Sequence, residues 1–149
     1  MHDSILVPID GSPASEAGLA IAQDMAEAMN VRIVLLHVID AEPLFLQSAR
    51  DFEEHRSRLR DYGNDLLATA AVAVQDRGIA VSYQLRETID SNTAAVITAE
   101  AVAQACGLIV LGTHGRRKRR GQVLLGRDAE WVLQNSTVPV MFVRGSASD

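Results

Sequence analysis

Val31 to Val38 is nearly continuous in branched aliphatic residues, and Leu108-Ile109-Val110-Leu111 repeats that character in four positions. A strand with one wet face alternates apolar and polar side chains, whereas an unbroken apolar run has to be covered on both faces. Covering on both faces is the condition of a parallel sheet held between two layers of helices. These two runs therefore limit the chain to an α/β architecture more tightly than any single motif does.

Three further segments supply the other strands. Ser4 to Ile9 reads as the first, Ile79 to Leu85 alternates enough to be a third strand at the sheet edge, and Val138 to Val143 closes the chain as the fifth. Helical patterns fall between them. Ser12 as N-cap and Pro13 at the first helical position open a helix with the stripe Ala14, Ala17, Ile21, Met25 and Met29. Phe52, Leu59, Tyr62, Leu66, Ala70 and Ala73 mark a long helix that Gly63 interrupts and Arg77-Gly78 ends. Ala94, Ile97, Ala101 and Ala105 mark the next, over Ser91 to Ala105, and the last runs from about Arg127 to Gln134. Five strands alternating with four helices predict a three-layer α/β/α sandwich with a five-stranded parallel sheet in the order 3-2-1-4-5. The rhythm runs without a linker or repeat, so one domain is expected over residues 1–149.

Composition excludes several classes of function. A formal charge of -5 and 4% aromatic residues argue against a nucleic-acid partner. No apolar run approaches the ~18 residues of a membrane span, and the start has no signal-peptide pattern, so a cytoplasmic protein is expected. The lone Cys106 has no internal partner and sits among apolar neighbours, as a buried small residue does. His2, His37 and His55 lack metal-ligand spacing, so no metal site is expected beyond Mg2+ arriving with a nucleotide.

Ligands in open α/β sheets sit beyond the carboxyl ends of the strands, where the winding reverses. Two strand exits are chemically marked: Asp10 after the first, and Gly112-Thr113-His114-Gly115 after the fourth. The order 3-2-1-4-5 makes those strands neighbours. An acceptor carboxylate would then face a bare, amide-rich bend, followed at Gly126-Arg127-Asp128 by a helix start whose first N–H groups have no partner in the helix. That combination suits a nucleotide. Each part also has a plainer reading: Asp10 before Gly-Ser-Pro can serve a turn, the glycines can serve a tight strand exit, and the run Arg116 to Arg120 can be a solvated loop.

ILVPIDGS near the start, LIVLGTHG at the fourth strand, VLLGRDAE at the last helix and VPVMFVR at the end resemble, in order and along essentially the whole chain, the universal stress protein family. The resemblance implies ATP in the cleft between the first and fourth strands. It places Asp10 at the nucleoside, the backbone of Val38 at the adenine, Pro8 and Ile9 along the same wall, and Gly112, Gly115 and Gly126 near ribose and phosphates. Thr113, His114, Arg127 and Asp128 belong to the same stretches. The family pattern has nine residues between its second and third glycines and Ser or Thr after the third; this chain has ten, and Arg127. Arg127 can pair with phosphates or fill their space, and the sequence leaves both open. The resemblance further implies a homodimer through the edge strand from Val138 to Val143.

Function is thus expected to be ATP binding in the regulation of stress responses. A nucleotide-free dimeric interaction module of the same family is the alternative, and a nucleotide-dependent transferase a more distant one. No nucleophile, general base or Walker-type lysine is assignable, so no catalytic residue is named and any ATP hydrolysis should be slow.

Overall fold

A computed structural model describes residues 3–41, 48–113, 116–117 and 123–145. β1 (Ser4–Pro8), β2 (Arg32–Asp40), β3 (Val81–Thr88), β4 (Leu108–Thr113) and β7 (Val140–Arg144) form a parallel sheet in the order β3-β2-β1-β4-β7. They alternate with α1 (Pro13–Met29), α2 (Ala49–Asp76), α3 (Thr93–Ala103) and α4 (Arg127–Asn135). This is the expected order; the last strand is numbered seven because β5 (Arg116–Arg117) and β6 (Val123–Leu124) pair antiparallel between β4 and α4. The start of the arginine run, expected as a solvated loop, therefore has its backbone in a small ladder.

Both faces of the sheet are buried at its central strands β1, β2 and β4, as unbroken apolar runs require. Ile5, Val7, Ile9, Ile33 and Leu35 pack with residues of α1 and α2, while Leu6, Val34, Leu36, Ile109 and Leu111 pack with residues of α3 and α4. Successive residues thus feed two separate clusters. Cys106 is buried, and desolvation pushes its thiol above the usual cysteine range.

Two expected stripes turn out shifted. On α1 the buried residues are Ala14, Ser15, Gly18, Ala22 and Ala26, whereas Ile21 and Met29 are 39% and 46% exposed. The small residues win because the helix lies close to β4: a Cβ on Gly18 would come 3.0 Å from the Gly112 amide nitrogen. On α2 the buried residues are Gly63, Leu67, Ala71 and Val74, and Tyr62 is exposed. Gly63 does not interrupt that helix. It admits the His37 ring, whose Cδ2 would be 2.7 Å from an added Cβ. Ala105, expected on the α3 stripe, lies beyond the helix end with φ 54° and is exposed.

β3 begins two residues later than expected and runs three further, which brings Glu87 into the strand. Its carboxylate accepts from Arg56 Nε at 2.7 Å and from Arg60 Nη2 at 2.8 Å, tying α2 to the edge of the sheet. The hydrogen bond from Arg56, helped by Arg60, holds the Glu87 carboxyl below its ordinary 4.5. A lowered folded-state pKa contributes stability above the unfolded value, and that contribution disappears as pH falls through the folded one. Glu87→Gln should accordingly melt below wild type at neutral pH, and the gap should narrow as pH falls below about 4.5. Thermal scans of both proteins across acidic pH check this; a constant gap would contradict it.

β1 is shorter than either neighbour. Its ladder with β2 ends at Pro8–Leu36, yet β2 continues to Asp40; beside β4 it pairs through Leu6–Ile109, yet β4 continues to Thr113. The two longer strands overhang a notch whose floor is the end of β1. Among the described residues no helix is long and apolar enough to cross a membrane.

Candidate functional site

The notch opens into a cavity of about 520 Å³. Pro8, Ile9 and Asp10 reach it from β1, Val38 and Asp40 from β2, Gly112 and Thr113 from β4, and Gly126, Arg127 and Asp128 from the start of α4. Nine of the eleven residues expected at the site therefore share one cavity: Pro8, Ile9, Asp10, Val38, Gly112, Thr113, Gly126, Arg127 and Asp128. His114 and Gly115 lie outside the described residues.

Asp10 serves a turn in this structure. Its Oδ1 accepts from the Ser12 amide at 2.9 Å, and its own amide donates to Ser15 Oγ at 3.2 Å. The Ser12 side chain caps α1 by accepting from the Ser15 amide at 3.1 Å. The wall behind is braced by His37, whose Nδ1 meets the Ile9 carbonyl at 2.8 Å, and by Tyr62, whose hydroxyl donates to the Asp10 carbonyl at 3.4 Å. The carboxylate thus leaves β1 on a loop held at several points.

Gly112 has a packing role that the sequence did not suggest. A Cβ there would stand 2.0 Å from the Ala14 carbonyl oxygen and 2.5 Å from its carbon, inside the first turn of α1. Glycine is required at this position by the approach of α1, whatever the cavity holds. Gly126 is different. Among the described residues an added Cβ would meet nothing within 4 Å, and its φ of -67° and ψ of 167° are open to any residue.

Gly126 is nevertheless the N-cap of α4, and it supplies no side-chain cap. Ser12, Ser48 and Asn92 cap α1, α2 and α3 with their side chains, so among the described residues α4 is the one helix that starts without such a cap. Its first amides lack intrahelical partners, and this end of the helix carries the positive pole of the macrodipole. With Arg127 at the first helical position, the end of the cavity beside β4 favours an anion.

The side beside β2 has the opposite character and was missed in the sequence. Asp40, Ser91 and Thr93 line it, and Ser91 Oγ donates to Asp40 Oδ2 at 2.8 Å. The run Asp90-Ser91-Asn92-Thr93 was a legible signal, since it marks a third strand exit with capping residues. The Thr88 hydroxyl, then the Asn92 amide, hold Asp90 below the usual carboxylate range. Among the described residues no group of three His, Cys, Asp or Glu side chains is arranged to hold a metal ion.

Against known proteins, the model of the universal stress protein family matches residues 1–144. The chain belongs to the universal stress protein family. Universal stress protein MJ0531 of Methanocaldococcus jannaschii is 26% identical over 97% of this chain and 83% of its own length. A universal stress protein of Mycolicibacterium smegmatis is 36% identical over 96% of this chain and 47% of its own length, so the chain spans about half of that relative. The crystal structure of a family member from Burkholderia pseudomallei superposes with a TM-score of 0.80 at 26% identity, covering 97% of each chain. Two more distant members share the fold: an Arabidopsis thaliana protein with AMP bound (TM-score 0.73, 18% identity, 97% of this chain and 93% of that one) and a universal stress protein in complex with cAMP (TM-score 0.70, 20% identity, 97% and 99%).

Proposed function

We propose that the cavity binds an adenine nucleotide, ATP in the first instance, and that the protein acts as a nucleotide-responsive regulator of stress responses in the cytoplasm. The observation that carries this reading is the uncapped start of α4 facing the same cavity as the Asp10 carboxylate. The amides of α4 suit phosphate oxygens, Asp10 suits ribose hydroxyls or an amino group, and Val38, Ile97 and Leu111 provide apolar surface for a ring. The AMP and cAMP held by two family members of the same fold support the ligand class. Mg2+ enters, on this reading, only as a counter-ion of the phosphates. The remaining residues of the predicted set, Pro8, Ile9, Gly112, Thr113, His114, Gly115, Gly126, Arg127 and Asp128, belong to the proposed site.

The test begins with the purified protein. Denaturation should release an adenine nucleotide, and titration should show ATP binding that Asp10→Ala weakens roughly three- to tenfold, as loss of one hydrogen-bonding partner does. A second reading, the nucleotide-free interaction module, draws on Asp128 and Glu130, which place carboxylates in the first turn of α4 and offset its positive pole from within. No ATP binding by folded wild type would select that second reading.

The assembly proposal concerns β7. Among the described residues the sheet order leaves one side of this strand unpaired, with Val140 and Phe142 half-buried and Met141 exposed. An apolar edge is a template for another strand, and a second copy about a twofold axis would cover it. Phe142→Asp should convert dimers to monomers in sedimentation; an unchanged assembly would rule out this edge.

A further inference from the structure

The two ends of the cavity differ in a way that orients a ligand. Beside β4, the first-turn amides of α4 and Arg127 favour negative charge against the opposing carboxylate of Asp128. Beside β2, Asp40 presents a carboxylate, which repels phosphate and accepts hydrogen bonds. β1 separates those strands, so the ends lie two strand spacings apart, roughly 10 Å, with Asp10 between them.

Asp40 is held with unusual care. Its partner Ser91 has φ 57°, a left-handed conformation that a residue with a side chain seldom adopts. The turn is pinned on both sides of it: Thr88 Oγ1 donates to Asp90 Oδ1 at 2.6 Å, the Asn92 amide donates to the same oxygen at 3.2 Å, and Asn92 Oδ1 accepts from the Ala95 amide at 3.0 Å. Strained backbone that its surroundings over-determine tends to mark a working position. Here the result is a hydroxyl fixed against a carboxylate on the cavity wall.

Resting on the nucleotide reading above, we infer that Asp40, positioned by Ser91, determines base specificity by accepting a hydrogen bond from the exocyclic amino group of a purine. Phosphates lie at α4, ribose at Asp10 and the amino edge of the base at Asp40. Val38 and Ile97 line the wall between for the ring faces. A purine without that group forfeits one hydrogen bond to a charged acceptor, a loss large enough to discriminate between the two bases.

The experiment is a thermodynamic cycle by titration calorimetry. ATP and purine riboside triphosphate, which lacks only the amino group, are each titrated into wild type, Asp40→Ala and Ser91→Ala, with circular dichroism as the folding check. Wild type should prefer ATP about tenfold or more, Asp40→Ala should bind the two within about twofold, and Ser91→Ala should fall between. A merely structural Asp40 would weaken both nucleotides equally and leave the preference intact, which overturns the inference. Equal binding of the two by wild type overturns it as well. Failure of wild type to bind either one overturns the reading of the cavity itself, and this inference with it. Should Asp40→Ala not fold, Ser91→Ala decides: a reduced preference supports the inference and an unchanged one overturns it.

Discussion

Gly112→Ala should cost about 3 kcal/mol or more, a fall in melting temperature of roughly 6–12 °C for a chain of this size. The added methyl would lie 2.0 Å from the Ala14 carbonyl oxygen and 3.0 Å from Ser15 Cα, and both atoms belong to helix backbone. Rotamer changes cannot relieve such contacts, so α1 has to move away from β4 as a body. That shift would also drag Ser15, whose hydroxyl accepts from the Asp10 amide, and so disturb the loop at the cavity mouth. Scanning calorimetry checks the effect; melting within a degree of wild type would show that α1 is not held as closely as described.

Gly126→Ser should act in the opposite sense on stability and far more strongly on binding. The N-cap dihedrals at Gly126, φ -67° and ψ 167°, are close to those of the capping serines, Ser12 at -76° and 157° and Ser48 at -62° and 157°. A serine there finds open space and can offer its oxygen to the amides of the first turn, for a gain of a few tenths of a kcal/mol. Those are the amides proposed to receive phosphate. With one of them occupied, ATP affinity should fall roughly 10- to 100-fold, the loss of a hydrogen bond to a charged group. A variant that melts slightly higher and still binds ATP as wild type does would place the phosphates elsewhere.

These two glycines show how unevenly the site could be read in advance. The parallel, doubly covered sheet followed from unbroken apolar runs, because such strands need a helix layer on each face. Helix faces were harder. Ile21 and Met29 are more hydrophobic than Gly18 and Ala22, but the surface of α1 turned to the sheet is chosen by how near it must come, and size outranks hydrophobicity at that distance. Gly63 was misjudged for the same reason, since the ring it accommodates comes from His37, 26 residues away in sequence.

The cavity was legible where one short segment carries its own signal, as at Asp10 and at Gly126-Arg127-Asp128. It was not legible where the cavity wall is built by a pairing between segments. Asp40 and Ser91 are 51 positions apart, and nothing local to either announces the other. Gly112 was singled out for the cavity alone, because its clash partner Ala14 is visible only once α1 lies against β4.

The short first strand has an evolutionary consequence. Because the pocket is scooped from overhanging strand tips, most of the residues that dress it stand apart from both apolar clusters, and drift at those tips can retune or abolish a ligand while the scaffold survives. Asp10 and Gly112 would persist in such descendants for reasons of folding alone. Among relatives of this chain, the informative position is the N-cap of the last helix: a glycine kept at 126, where no described neighbour asks for one, would be the trace of a ligand still in use.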